Sequence, residues 1–192
     1  MANYLIIGNG VAGTTAAENI RKLDKAGKMT IVTEESTPFY YRMRLPDFIS
    51  GDLAEDKLIA KSDQWYKDQG IDLKLNTRIQ GANPGKKAVV TQGNQEIPYD
   101  RLLVATGSRS FIPPMKGADQ RGVFALRSIQ DARDVFLDAT DSNAGEVSLE
   151  ALADFGYLFL DYCVYYLGGT VKIPFSHSMR LKPILMPITP TD

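Results

Sequence analysis

A chain of 192 residues is long enough for one sizeable domain, or for one and a small second. Apolar content of 44% and charged content of 23% are ordinary for a globular protein, and a net charge of -1 without a basic block gives no pointer to nucleic acid. One cysteine excludes an internal disulfide framework or a redox-active pair within these residues. The apolar run near the N-terminus is too short for a signal peptide. The longest apolar region, 155–167, carries Asp161 and falls short of the ~20 residues of a membrane span, so a cytoplasmic location is expected.

Tyr4-Leu5-Ile6-Ile7 reads as a strand and runs directly into Gly8-Asn9-Gly10-Val11-Ala12-Gly13. Beyond Gly13, Ala16, Ala17, Ile20 and Leu23 fall on one face at helical spacing, with Gly27 as the expected helix stop. Residues 29–33 read as a second strand, closed by Glu34 and Glu35. Strand, G-x-G-x-x-G, helix, strand and acid in this order predict a dinucleotide site. Gly8 permits the tight turn, Gly10 lets the backbone approach a pyrophosphate, and Gly13 lets the helix sit close to the strand. The helix N-terminus offers free N–H groups and a positive dipole end to phosphate. A carboxylate about 20 residues on accepts hydrogen bonds from a ribose diol and repels a 2′-phosphate. Alternation along 29–33 is compatible with either carboxylate turning inward, and motif spacing selects Glu34, with Glu35 pointing away.

Pro38 and Pro46 bracket an aromatic segment containing Arg42 and Arg44 and argue against one long helix there. The two arginines read equally well as contacts to phosphate or flavin and as solvated surface charge. Ser62 is placed to cap a short helix with Trp65 as a packing anchor and Gly70 at its end. Ile71, Leu73 and Leu75 alternate as a strand does. Turn signals at Asn83-Pro84-Gly85 and Gln92-Gly93-Asn94 divide 77–82, 87–91 and 95–99 into an antiparallel meander. Leu102-Leu103-Val104-Ala105 then predicts a buried strand ending at Thr106-Gly107-Ser108. Gly107 suits either close approach of a ligand or an ordinary strand end. The predicted class is α/β: a Rossmann-like, mostly parallel sheet with an inserted antiparallel β-meander.

This order resembles the FAD domain of the pyridine nucleotide–disulfide oxidoreductases. The resemblance rests on Gly8, Gly10 and Gly13, the acid at Glu34 or Glu35, the stretch from Pro38 through Arg42 to Pro46, the meander, and Tyr99 to Ser108. It is closest to the branch without a redox disulfide: NADH-dependent rubredoxin and ferredoxin reductases and the flavin portion of nitrite reductase. It covers residues 3 to about 136, where 123–132 look like the family's crossover to its NAD domain. It implies that Gly8, Gly10, Val11, Ala12, Gly13 and the acid hold the ADP half of FAD. Arg42 would lie near flavin or pyrophosphate, the backbone at Arg78 and Ile79 near adenine, and Ala105-Thr106-Gly107 along the cofactor. NAD(P)H would be the electron donor and a small redox protein or small molecule the acceptor. No side chain is required as acid, base or nucleophile, so no catalytic residue is named.

The resemblance does not continue. A second G-x-G-x-x-G is absent after Val135, and 138–145 read as a linker. Residues 156–163 and 167–173 faintly resemble the helix and second strand of an NAD motif, with Tyr162 too large for a helix held close to a sheet. The expected organisation is therefore 1–136 as the first segment of an FAD-binding domain and 137–192 as a divergent remnant with a proline-rich tail. Cys163 reads as a buried small residue, the aromatics of 157–166 as core or interface, and His177 as a surface residue without metal partners. A sheet edge and apolar face left uncovered would favour self-association. The alternative to an oxidoreductase is a non-catalytic dinucleotide-binding module that needs a partner chain. The isolated chain is expected to bind FAD weakly or not at all, and not to reduce acceptors with NADH at family-like rates.

Overall fold

A computed structural model describes residues 1–112, 114, 118, 119, 123–141, 147, 148, 170 and 171. The chain divides into two compact units, the first formed by Met1–Tyr41 and Ile59–Ser108, the second by Arg42–Leu58 and Arg109–Asp192.

In the first unit, β1 (Asn3–Ile7) leads into α1 (Val11–Leu23), which returns the chain to β2 (Lys28–Val32). α3 (Asp63–Asp68) precedes β3 (Ile71–Lys74), and β7 (Arg101–Val104) closes the unit. These four strands form one parallel sheet in the order β3-β2-β1-β7. The strands alternate as a sheet covered on both faces must. Ile6, Met29, Ile31 and Ile71 join Ala17 of α1 and Tyr66 of α3 in one core. Leu5 and Val32 face the other way, onto Val89 and Ile97. Those last two come from the meander β4 (Ile79–Asn83), β5 (Ala88–Thr91) and β6 (Glu96–Pro98), a three-stranded antiparallel sheet. The α/β class with an inserted meander is therefore as the sequence predicts.

Two expectations are corrected in this unit and a third in the second unit, where 138–141, expected as the start of a linker, form the last turn of a helix over Ile129–Asp141. α1 ends at Leu23 with Asp24 as its C-cap, ahead of Gly27. The Asp24 carboxylate takes the N–H groups of Ala26 and Gly27, so an aspartate rather than the glycine turns the chain. β7 is not buried: Val104 is 63% exposed, because β7 pairs only with β1 among the described residues. The cap by Ser62 is present, its side chain accepting from the Trp65 N–H, and Gly70 follows in the left-handed region at φ 59°.

In the second unit, a 3-10 turn at Arg42–Arg44 runs into α2 (Leu45–Ile49), with Pro46 in its first turn, where a missing N–H costs nothing. α4 (Ile129–Asp141) starts at a capping box: Asp131 accepts from the Arg127 and Ser128 N–H groups, and Ser128 Oγ accepts from the Asp131 N–H. Phe48 stacks on Phe136, and the Arg133 guanidinium donates to both carboxylate oxygens of Glu55. Short strands β8 (Val147–Ser148) and β9 (Thr170–Val171) pair antiparallel. The 156–163 segment, with Tyr162 and Cys163, lies outside the described residues, as do the remaining aromatics to Tyr166, His177 and the proline-rich tail. Among the described residues no helix is long and apolar enough to cross a membrane.

Candidate functional site

The parallel sheet of the first unit places three of its connections at one edge, those that follow β1, β2 and β7. Because β1 lies between β2 and β7, the connection after β1 is flanked by the other two. The Gly8 N–H donates to Val32 O and the Ala105 N–H to Ile7 O, both at 2.8 Å, so the ladders continue into the loops and hold them together.

The three glycines do three different things, and the space around each shows which. Gly8 sits at φ 109°, and a Cβ there would stand 2.1 Å from Ala105 O. A Cβ on Gly13 would stand 2.0 Å from Gly8 O and 3.3 Å from Ile6 Cγ2. These two are required by the fold itself. Around Gly10 nothing lies within 4 Å of an added Cβ. Among the described residues no packing contact accounts for the missing side chain there, and the space in front of it is open.

Gly10 is also the N-cap of α1, with extended backbone and no side-chain cap. No acidic residue stands in the first turn, and Val11 and Ala12 are exposed. The first-turn N–H groups and the positive end of a 13-residue helix therefore open into that space without a side-chain counter-group. An anion with several acceptor oxygens fits this arrangement.

Beyond β2, Thr77 N–H donates to Thr33 O and Asn76 N–H to Glu35 O, which ties the acidic loop to the turn ahead of β4. Glu34 is exposed, with Arg78 Nε 3.6 Å from its carboxylate. Glu35 is half-buried, and its carboxylate accepts the Tyr40 hydroxyl at 2.6 Å. Ile79 packs against the core cluster of Leu5, Val32, Val89 and Ile97 while Arg78 stays exposed. Past β7, Thr106 and Gly107 are exposed, with Gly107 at φ 66°. Gly8, Gly10, Val11, Ala12, Gly13, Glu34, Glu35, Arg78, Ile79, Ala105, Thr106 and Gly107 all belong to the first unit. Arg42 belongs to the second, where its guanidinium donates to Arg127 O at 3.0 Å.

Sequence reasoning passed over Asn9. Its side chain turns inward, 8% exposed, and Oδ1 accepts from the Tyr66 hydroxyl at 2.9 Å and from Thr14 Oγ1 at 3.4 Å. The one signal available was a carboxamide at a motif position where any residue is allowed. Its partner lies 57 residues away.

Comparison with known proteins gives the family and the fold. The family model for pyridine nucleotide-disulphide oxidoreductases matches residues 2–148. The chain is 31% identical over 167 residues to the assimilatory nitrate reductase electron transfer subunit of Bacillus subtilis, covering 83% of this chain and 22% of that protein. It is 31% identical over 132 residues to the rubredoxin-NAD(+) reductase of Pseudomonas putida, covering 68% of this chain and 34% of that protein. The chain thus spans between a fifth and about a third of the length of these relatives. Among solved structures, the NADH:rubredoxin oxidoreductase of Clostridium acetobutylicum superposes with a TM-score of 0.67 at 27% identity, over 75% of this chain and 37% of that one.

Proposed function

The chain belongs to the pyridine nucleotide-disulphide oxidoreductase family, and from that premise we propose that residues 1–136 are the first segment of an FAD-binding domain. In this reading the chain serves electron transfer from NAD(P)H through FAD to a small redox protein or small acceptor. The observation that carries it is the open space at Gly10 in front of an uncapped helix N-terminus, two residues after a Gly8 held against the backbone of Ala105. The residues present fit the ADP half of the cofactor. The N–H groups at Gly10, Val11 and Ala12 take the pyrophosphate, and Gly8 and Gly13 hold the turn that aims them. Glu34, exposed and charged, is placed to accept from a ribose diol, while Glu35 is already engaged by Tyr40. The backbone at Arg78 and Ile79 borders the adenine end, and Ala105, Thr106 and Gly107 form the other wall. Arg42 is assigned to the flavin or pyrophosphate side on the family resemblance alone.

When bound, flavin supplies the hydride-accepting and electron-passing chemistry, and the chain's own residues bind and orient it. No side chain of the site has to move a proton. A carboxylate at Glu34 disfavours a 2′-phosphate, which matches a cofactor half that has none. The relatives' names point to NAD(+) or NADH as the partner nucleotide of those proteins and to rubredoxin as one acceptor. For this chain, the nicotinamide donor and the carrier protein are part of the proposal.

The test is calorimetric titration of the purified chain with ADP and with FAD, followed by NADH-driven reduction of a dye after free flavin is removed. Saturable binding of both ligands near one per chain supports the reading. Failure to bind either overturns it. Binding without reduction leaves a dinucleotide-binding module and removes the catalytic half of the proposal for this chain.

A further inference from the structure

Beneath the glycine loop lies a buried polar cluster that the dinucleotide motif does not require. Tyr66 is 2% exposed and reaches from α3 to the loop. Its hydroxyl oxygen accepts the Phe39 N–H at 3.2 Å. Its own hydrogen is then free to go to Asn9 Oδ1, 2.9 Å away. Burial pushes the phenol above its ordinary pKa, so it remains a donor at neutral pH. Thr14, in the first turn of α1 and 2% exposed, adds a second donor to the same oxygen.

This arrangement fixes the carboxamide. With Oδ1 receiving two hydroxyls, Nδ2 has no partner among the described residues and is closed to solvent. The hydroxyl of Thr37 is in the same condition. A buried orphan donor costs ~1–3 kcal/mol, and an apolar residue between the two glycines would remove it only by leaving the buried Tyr66 hydroxyl without its acceptor. Nδ2 is sealed from solvent, so it is not itself a ligand contact. What the side chain does is hold the backbone on either side of it. Asn9 is flanked by Gly8, at a positive φ, and by Gly10, the open N-cap, two residues with little conformational preference of their own. The same Tyr66 hydroxyl also holds Phe39, next to the Tyr40 that engages Glu35. One phenol thus links the phosphate loop to the segment that follows the acidic loop.

We propose that Asn9 and Tyr66 are positioning residues for the dinucleotide: the Tyr66 hydroxyl clamps the Asn9 carboxamide and so keeps the loop N–H groups aimed at the ligand. The proposal rests on the dinucleotide-binding reading above. A side chain that merely fills the core would change stability and leave affinity alone, and that contrast defines the experiment.

Tyr66→Phe, Asn9→Ala and the double variant are made in the full chain. Each is titrated calorimetrically with ADP and with FAD at a temperature where circular dichroism shows it folded, and thermal unfolding is recorded in parallel. Each single variant should raise Kd for both ligands by about tenfold, with the same factor for each because the ADP half is common to them. The double variant should be no more than about tenfold weaker than the parent, since both changes break one linkage. Tyr66→Phe binding within twofold of the parent, whatever its melting temperature, would overturn the proposal while leaving the dinucleotide site standing. A hundredfold loss in the double variant would show two independent effects and also sink it. If the parent itself binds neither ligand, the site reading fails and takes this proposal with it. Should Tyr66→Phe not fold, Asn9→Ala decides by the same twofold limit.

Discussion

The two ends of α1 are treated in opposite ways. At the carboxyl end two side chains, Arg21 and Asp24, tie the turn after the helix into the protein. Arg21 donates to the carbonyls of Asp24, Gly27, Gln69 and Gly70, at 2.7–3.1 Å. Asp24 takes the N–H groups of Ala26 and Gly27 and the Tyr4 hydroxyl. Arg21 and Lys22 also place positive charge in the last turn, where the helix dipole favours it. At the amino end there is no cap, no acid and no side chain at Gly10. Among the described residues, side chains serve the carboxyl end of this helix and none serves its amino end. It is this end that the proposed function assigns to a ligand.

That contrast can be broken at several points. The largest effect is expected from Gly13→Ala. Its Cβ would meet the Gly8 carbonyl oxygen at 2.0 Å, which backbone must yield to accommodate, so urea denaturation should show a loss of about 3 kcal/mol. Gly10→Ala sharpens the comparison because its Cβ meets nothing. Stability should fall by less than ~1 kcal/mol, the ordinary difference at an N-cap, while calorimetry shows at least a tenfold rise in Kd for ADP. If Gly10→Ala binds as the parent does, the open space is not the ligand's.

At the satisfied end, Arg21→Ala should destabilise the chain by about 1.5–3 kcal/mol, through carbonyls left without their charged donor. ADP affinity should stay within twofold. On the ligand side, Glu34→Gln should weaken ADP binding by ~1–3 kcal/mol as a charge-assisted hydrogen bond becomes a neutral one, with melting unaffected because the side chain is exposed. Equal affinities would move the ribose contact elsewhere.

The smallest effect concerns Asp24. Its carboxyl is held below the ordinary range, first by the Gly27 N–H, then by the Ala26 N–H and the Tyr4 hydroxyl. A depressed folded-state value contributes stability that is complete above the unfolded-state pKa and disappears as pH falls through the folded value. Melting temperature should therefore decline below about pH 4. Asp24→Asn, which has no charge to lose, should flatten that part of the profile. An unchanged profile would show that the cap acts without its charge.

The glycine motif, its helix, both flanking strands and the meander were legible because each is written in short-range pattern. Apolar alternation, a glycine spacing and turn residues act within a few positions of one another. Gly8, Gly10 and Gly13 could be named as a set, and the acid at the end of β2 with them. What separates them is visible only in three dimensions. Gly8 and Gly13 are required by backbone atoms that the fold brings within about 2 Å, whereas Gly10 faces open space. The helix stop was misplaced because an aspartate side chain, not a glycine backbone, satisfies the turn after Leu23. The exposure of β7 goes with its place at the edge of the sheet that the described residues form, which no local run of Leu and Val records. Asn9 carried only the signal of a carboxamide at a permissive motif position, since the Tyr66 that bonds its side chain sits on another helix, 57 residues away. Local sequence determined which elements form, because propensity and periodicity are short-range. Only the tertiary structure decided which polar groups are answered by side chains from elsewhere in the chain, because those partners are brought together by packing across the sheet.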